Sequence, residues 1–483
     1  MKTIIELIKG KVFSFIFFRY LGYGIQFVNS LLIAKFLGPF YFGIYGFSTL
    51  MLQYINYSHL GIPYSFNVEL SKNIKKIDDN EKRLLGNSML MLFLIALILL
   101  FIVVVISNVH IDLFEKYRFN NYIFIIIFIV IFDLLCQLFI NLYRAFHYFK
   151  KISFYQITPQ FLVLISISFF YNNNEKLLLA VFLSQLIGLI ISFIVFNINK
   201  PLIPIWNINL QKGIRLIIRG ISLLMYNFMF SLILISSRTM ISIFYSVEDM
   251  GSYSLINSLS NAIGMLLGSI SFIFFSKMIS RLKSDVPNEN VKEFIEKVNY
   301  WYFLSTSFVI FLAISIVPTF SFFFPEYSNA IVPFSFLLLT QLVISYLFGY
   351  AEFLIARGRE QRLIFLAIIS IFINVGGIFI LYKIGLTYKY IPLVTLLAIG
   401  VYVVLARHYA SRLMDGELGI VSFIYNFLMN KMFLSVLLVV LVNLVSKGYI
   451  FNFIGLISLL FVAGKDFWAK RYELFGLIKR NFI

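Results

Sequence analysis

The sequence predicts an all-α integral membrane protein of about fourteen transmembrane helices. Composition is the first reason. Of 483 residues, 60% are hydrophobic and 13% charged, with a mean hydropathy of +0.91. A soluble domain is about 45–50% apolar and about 25% charged. Patterning is the second: apolar runs of about 20 residues, each long enough to cross a bilayer core of about 30 Å, recur from end to end.

The runs lie near 12–34, 40–60, 84–107, 120–143, 152–171, 177–198, 216–244, 251–275, 301–324, 330–354, 362–382, 388–406, 430–446 and 449–464. The last two are short and nearly fused. No cleavage site follows the first run, which serves as its own insertion signal. Charge orients the array. With the N-terminus in the cytoplasm, 31 of the 40 Lys and Arg fall on cytoplasmic segments and six on external ones. Arg19, Lys35 and Arg238 lie inside spans. This asymmetry follows the positive-inside rule and predicts an even span count with both termini cytoplasmic. The net charge of +18 therefore sets topology, and no nucleic-acid partner is expected. Between spans, Val291, Phe294, Ile295 and Val298 share one helical face, which predicts an interfacial helix in the cytoplasmic connection 276–300. Cys136 cannot form an internal disulfide and reads as a small core residue. With one Cys and four scattered His, neither a metal site nor a cofactor is expected.

The chain carries an internal repeat. A shift of 208 residues sets Gly43-x-Tyr45 on Gly251-x-Tyr253 and Phe36 on Phe244. A second pairing joins the cytoplasmic turns that carry Arg144 and Arg357. These matches predict two six-helix lobes, 1–200 and 208–408, in a parallel pseudo-two-fold repeat, with 409–483 as two additional helices and a cytoplasmic tail.

Arg19-Tyr-Leu-Gly22 leads into Leu37-Gly-Pro-Phe-Tyr-Phe-Gly-Ile-Tyr45. His59-Leu-Gly-Ile62 follows the second span, and Ser237-Arg-Thr-Met-Ile-Ser-Ile-Phe244 leads into Glu248-Asp-Met-Gly-Ser-Tyr253. Over about residues 1–410 the chain thereby resembles the multidrug/oligosaccharidyl-lipid/polysaccharide flippase superfamily, specifically its O-antigen and polysaccharide flippase branch. The resemblance implies two lobes around a central cavity that opens alternately to each side of the bacterial cytoplasmic membrane. It implies a polyprenyl-pyrophosphate-linked oligosaccharide as cargo, membrane lipids as surroundings and polysaccharide polymerase machinery as a partner. The additional pair of spans resembles the lipid II flippase branch instead.

Polar residues inside the spans locate a candidate site. A mid-bilayer charge costs about 2.5–3.5 kcal/mol on insertion scales. At 100° per residue Arg19, Tyr23, Gln26 and Ser30 form one stripe on the first span. Asn227, Ser231, Arg238 and Ser242 form another on the seventh, and the shift of 208 sets Asn227 on Arg19. Gln53 on the second span and Asn257 and Asn261 on the eighth continue the pattern. Two readings are open for these residues: a binding surface for pyrophosphate and glycan, or snorkelling and interhelical glue. Arginine suits pyrophosphate because its planar fork binds phosphate bidentately. Lys35, near the outer boundary, reads as snorkelling. Asp133 and Glu352 are each open to two roles, as carrier of a coupling H+ or Na+ or as structural partner.

Three rival functions define the alternatives. An ion-coupled small-molecule exporter of the same superfamily would want a lumen carboxylate for a cationic drug, and the first span has none. A lipid II flippase would share the site. A membrane-embedded glycan polymerase or ligase would need acids and bases at the surface. The paired Asp78-Asp79 reads as a solvated charged loop, and the expected class is a transporter rather than an enzyme.

Overall fold

The computed structural model describes residues 11–73, 78–146, 148–198, 200–206, 209–282 and 288–415, and they are overwhelmingly helical. Ten helices among them are long and apolar enough to cross a membrane. Each of the first twelve predicted runs falls on a helix; the runs 430–446 and 449–464 lie outside the described residues. Side chains such as Phe101, Phe169 and Phe372 are 70–77% exposed. In water that surface would be costly; on spanning helices it is the face turned to lipid.

The helices differ from the predicted runs in instructive places. The first two runs belong to one helix, α1 (Lys11–Asn56), kinked where Gly38 takes φ 68° ahead of Pro39. A left-handed glycine followed by a residue with no N–H bends the chain without unwinding the flanking turns. After α2 (Ile62–Asn73), α3 (Asp79–Ser107) starts at the pair read as a loop. Glu81 Oε2 accepts the Asp78 N–H at 2.9 Å, which closes a capping box. The short α4 (Asp112–Lys116) lies in the following connection, before α5 (Ile123–Ala145), α6 (Phe149–Phe170) and α7 (Asn174–Asn197).

Two long helices follow, α8 (Leu210–Phe244) and α9 (Val247–Arg281), and then α10 (Asn288–Phe323). No separate interfacial helix forms from the Val291 face: it is the opening of the 36-residue α10. Val291 and Ile295 are buried against protein, which removes the apolar face from the lipid surface. The tenth run is also broken. It becomes α11 (Ile331–Ser345) and α12 (Tyr350–Ala356), separated at Gly349 with φ 89°. Asn299 Nδ2 donates to the carbonyls of Ser345, Tyr346 and Phe348 at 3.4, 3.1 and 2.7 Å, so the freed backbone groups are satisfied inside the protein. Two more helices, α13 (Glu360–Lys383) and α14 (Ile391–Asp415), complete the described chain.

Contacts divide the chain into two compact units. One comprises Met1–Phe228 with Ile241–Leu255, and the other Met229–Met240 with Ile256–Ile483. In the first, α6 and α7 form a tight pair, α1 packs on α6, and α5 packs on α7. A polar tie joins α1 to α6: buried Asn29 donates to the backbone oxygen of Gln160 at 2.7 Å and to its Oε1 at 3.3 Å. In the second, α14 packs against both α11 and α13, and α10 against α11.

One crossing in the first unit follows the 208-residue shift. A Cβ on Gly43 would collide with the Val247 carbonyl, and one on Gly251 with the Pro39 carbonyl. The shift converts Pro39 into Val247 and Gly43 into Gly251, so the two contacts exchange.

Candidate functional site

Helical periodicity alone brings Arg19, Tyr23 and Gln26 to one face of α1. The structure adds how they interact. Arg19 is half-buried, and its Nε donates to the Tyr23 hydroxyl at 2.8 Å, with the guanidinium carbon 5.6 Å from the ring centre. Ser30 leaves the stripe's chemistry: its hydroxyl donates back to the Gln26 carbonyl at 3.0 Å, the usual fate of a serine within a helix. Gln53 is exposed further along the same helix, and Lys35 is exposed as well.

Beside this face lies a cavity of about 230 Å³ within the first unit. From α1 it receives Gly22, Tyr23, Gln26, Leu52 and Asn56; from α5, Ile129 and Asp133. Tyr155, Gln156, Pro159 and Gln160 of α6 and Gln185 and Leu189 of α7 close it. Asp133 is held inside this wall: its Oδ1 accepts the Tyr155 hydroxyl, and its Oδ2 accepts Gln137 Nε2 at 3.0 Å. The structure thus joins Tyr23, Gln26 and Asp133, and places Arg19 one turn away through Tyr23. Asn56 continues the polar stripe of Gln53 along α1, and three further amides, Gln156, Gln160 and Gln185, join it from α6 and α7 without having been singled out by the sequence. The usable signal was the pair Gln156 and Gln160, four residues apart in a run of apolar side chains.

In the second unit Arg238 is buried, 5% exposed. The turn before it is knotted to α13 and α14. Asn374 Nδ2 donates to the Ile233 carbonyl at 2.8 Å and to the hydroxyls of Ser236 and Ser237 at 2.9 Å each, and Ser237 and Thr395 share a hydrogen at 2.7 Å. Ser231, Asn257 and Asn261 are half-buried. Asn227 is exposed and belongs by its contacts to the first unit, so the predicted stripe is divided. Glu352 accepts the Gly349 N–H at 2.7 Å, a structural use at the start of α12. Arg407, counted from sequence as a cytoplasmic loop charge, sits with its guanidinium carbon 3.8 Å from the Tyr346 ring centre and 4.5 Å from that of Tyr350. That stacking is one arginine supports and lysine does not.

The family model described as polysaccharide biosynthesis protein matches residues 8–274. Among solved structures, the chain is similar to the lipid II flippase MurJ in an inward closed conformation, with a TM-score of 0.69 at 14% identity over 95% of this chain and 100% of that one. It is similar to a multidrug and toxin extrusion (MATE) family transporter in an outward-facing conformation, at a TM-score of 0.57, 10% identity, 85% of this chain and 98% of that one. A superfamily transporter from Pyrococcus furiosus gives 0.56 at 10% identity, with the same coverage. No curated protein matches the chain. The family match spans more than half of the sequence, and the fold agrees with it over nearly the whole length. The chain belongs to the polysaccharide biosynthesis protein family, and it is a multi-pass membrane protein with the fold of the multidrug/oligosaccharidyl-lipid/polysaccharide flippase superfamily.

Proposed function

We propose that the protein is a flippase that moves a polyprenyl-pyrophosphate-linked oligosaccharide, an O-antigen or other surface-polysaccharide repeat unit, from the cytoplasmic to the outer leaflet of the bacterial cytoplasmic membrane by alternating access. The observation that carries the reading is the Arg19–Tyr23 pair one turn from an amide-lined cavity in a chain of this family. Arg19 and Arg238 engage the pyrophosphate, amides and hydroxyls engage the glycan, and the polyprenyl tail stays in lipid. An H+ or Na+ gradient supplies the drive. Both termini face the cytoplasm; reporters fused at Pro287 and at the C-terminus are active only as cytoplasmic reporters.

The test is glycan display in a strain dependent on this protein, with membrane protein level as control. Arg19→Ala and Arg238→Ala abolish display, whereas Arg238→Lys, which keeps charge and loses the fork, retains part of it. Normal display by both alanine variants at normal protein level overturns the electrostatic mechanism. A second reading, lipid II as cargo, is favoured by the 95% of this chain covered in the match to the lipid II flippase. Growth of a strain depleted of its own lipid II flippase, restored by this protein, selects that reading.

A further inference from the structure

We propose that the cavity of the first unit is a subsite for a single neutral pyranose ring, the sugar nearest the pyrophosphate. The proposal rests on the flippase reading and names what part of the cargo this cavity takes. Size is the first argument. The cavity measures about 230 Å³. That suits one hexose and falls short of the roughly 300–1,000 Å³ of pockets for drug-sized ligands.

Lining chemistry is the second argument. A side-chain amide offers two donors and one acceptor, and a sugar hydroxyl both donates and accepts. Two cavity-lining acceptors, Asn56 Oδ1 and Gln156 Oε1, are buried without a hydrogen-bond partner among the described residues. A buried acceptor left unmatched costs about 1–3 kcal/mol, and two hydroxyl donors would match both. Asp133 faces this lining with its oxygens accepting Tyr155 and Gln137. No cluster of three metal-binding side chains occurs among the described residues. The lining carries no Lys, Arg or His side chain, so an acidic sugar would find no countercharge there, and the ring it accepts is uncharged.

Position is the third argument. Tyr23 lines the cavity and accepts the Arg19 hydrogen bond at 2.8 Å. A phosphate on the Arg19 fork is therefore one side chain away from a ring in the cavity. That order, phosphate then first sugar, is the order in the cargo.

The test uses full-length protein in lipid nanodiscs and saturation-transfer NMR with methyl glucoside, methyl N-acetylglucosaminide and methyl glucuronide. The neutral glycosides receive saturation from the wild type, and the glucuronide receives at least fivefold less. In Asn56→Leu/Gln156→Leu the neutral signal falls at least fivefold. In Gln185→Trp, which fills the cavity, it falls equally; the melting temperature of each variant reports its folding. Absence of signal from every neutral glycoside, an equal signal from the glucuronide, or signals unchanged in both folded variants overturns the subsite. Sodium displacing the neutral glycosides from the wild type does so as well, since it identifies an ion site. The flippase reading fails separately: lipid-linked glycan translocation in proteoliposomes with no glycoside binding removes the subsite alone, and glycoside binding without translocation of any lipid-linked glycan removes the transport reading.

Discussion

The two units tie corresponding helices together with opposite polarity. In the first, an amide on α1, Asn29, donates to Gln160 on α6. In the second, an amide on α13, Asn374, donates back to Ile233, Ser236 and Ser237 on α8. The shift of 208 sets Asn29 on Ser237, so the repeat keeps the location of the tie and reverses its direction. Side-chain length decides what else follows. Long glutamines and Asp133 reach a shared space and leave it open as a cavity. Short hydroxyls and one asparagine satisfy one another and close into a knot. The same kind of helix-to-helix tie thus borders an open cavity in the first unit and a closed knot in the second.

Four substitutions break or sharpen this contrast. The largest effect is expected from Asn374→Leu, which deprives three buried acceptors of their shared donor. Polar contacts of this kind average about 0.6 kcal/mol in membrane proteins and reach about 1.7. Three together are expected to cost about 2 kcal/mol, read as a clear fall in the melting temperature of detergent-solubilised protein. Asn29→Leu is expected to cost about 1 kcal/mol in the same assay, because its two bonds go to one residue bordering an open space. Equal losses would mean that both ties are fastenings. Tyr23→Phe leaves the melting temperature within error and lowers glycan display several-fold, since it removes the acceptor that orients Arg19. A matching loss of stability would make Tyr23 structural. Ser30→Ala is expected to change stability by less than about 0.5 kcal/mol and leave display unchanged, because its hydroxyl serves only its own helix.

Legibility in the sequence followed the physics of each signal. Long apolar runs are a strong signal, and all twelve that fall on described residues became helix. Continuity between runs was weaker. Gly38-Pro39 read as a turn because both residues disfavour helix, yet the turns on either side hold and the result is a kink. The break at Gly349 lay hidden because Asn299, distant in sequence, supplies the donor that makes it tolerable. The capping box of α3 was readable from Asp78 and Glu81, but the surrounding charges masked it. In the site, Arg19, Tyr23 and Gln26 were visible because they repeat at helical spacing. Gln185 was not, because it is a lone polar residue whose meaning depends on the neighbouring helix.

The exchanged contacts of Gly43 and Gly251 have a consequence for how such a chain diverges. Each glycine yields room to a carbonyl on the other's helix, so neither position drifts on its own. At the crossing, a bulkier residue at either position is expected to push apart the helix that carries the other. The two positions share a single clearance.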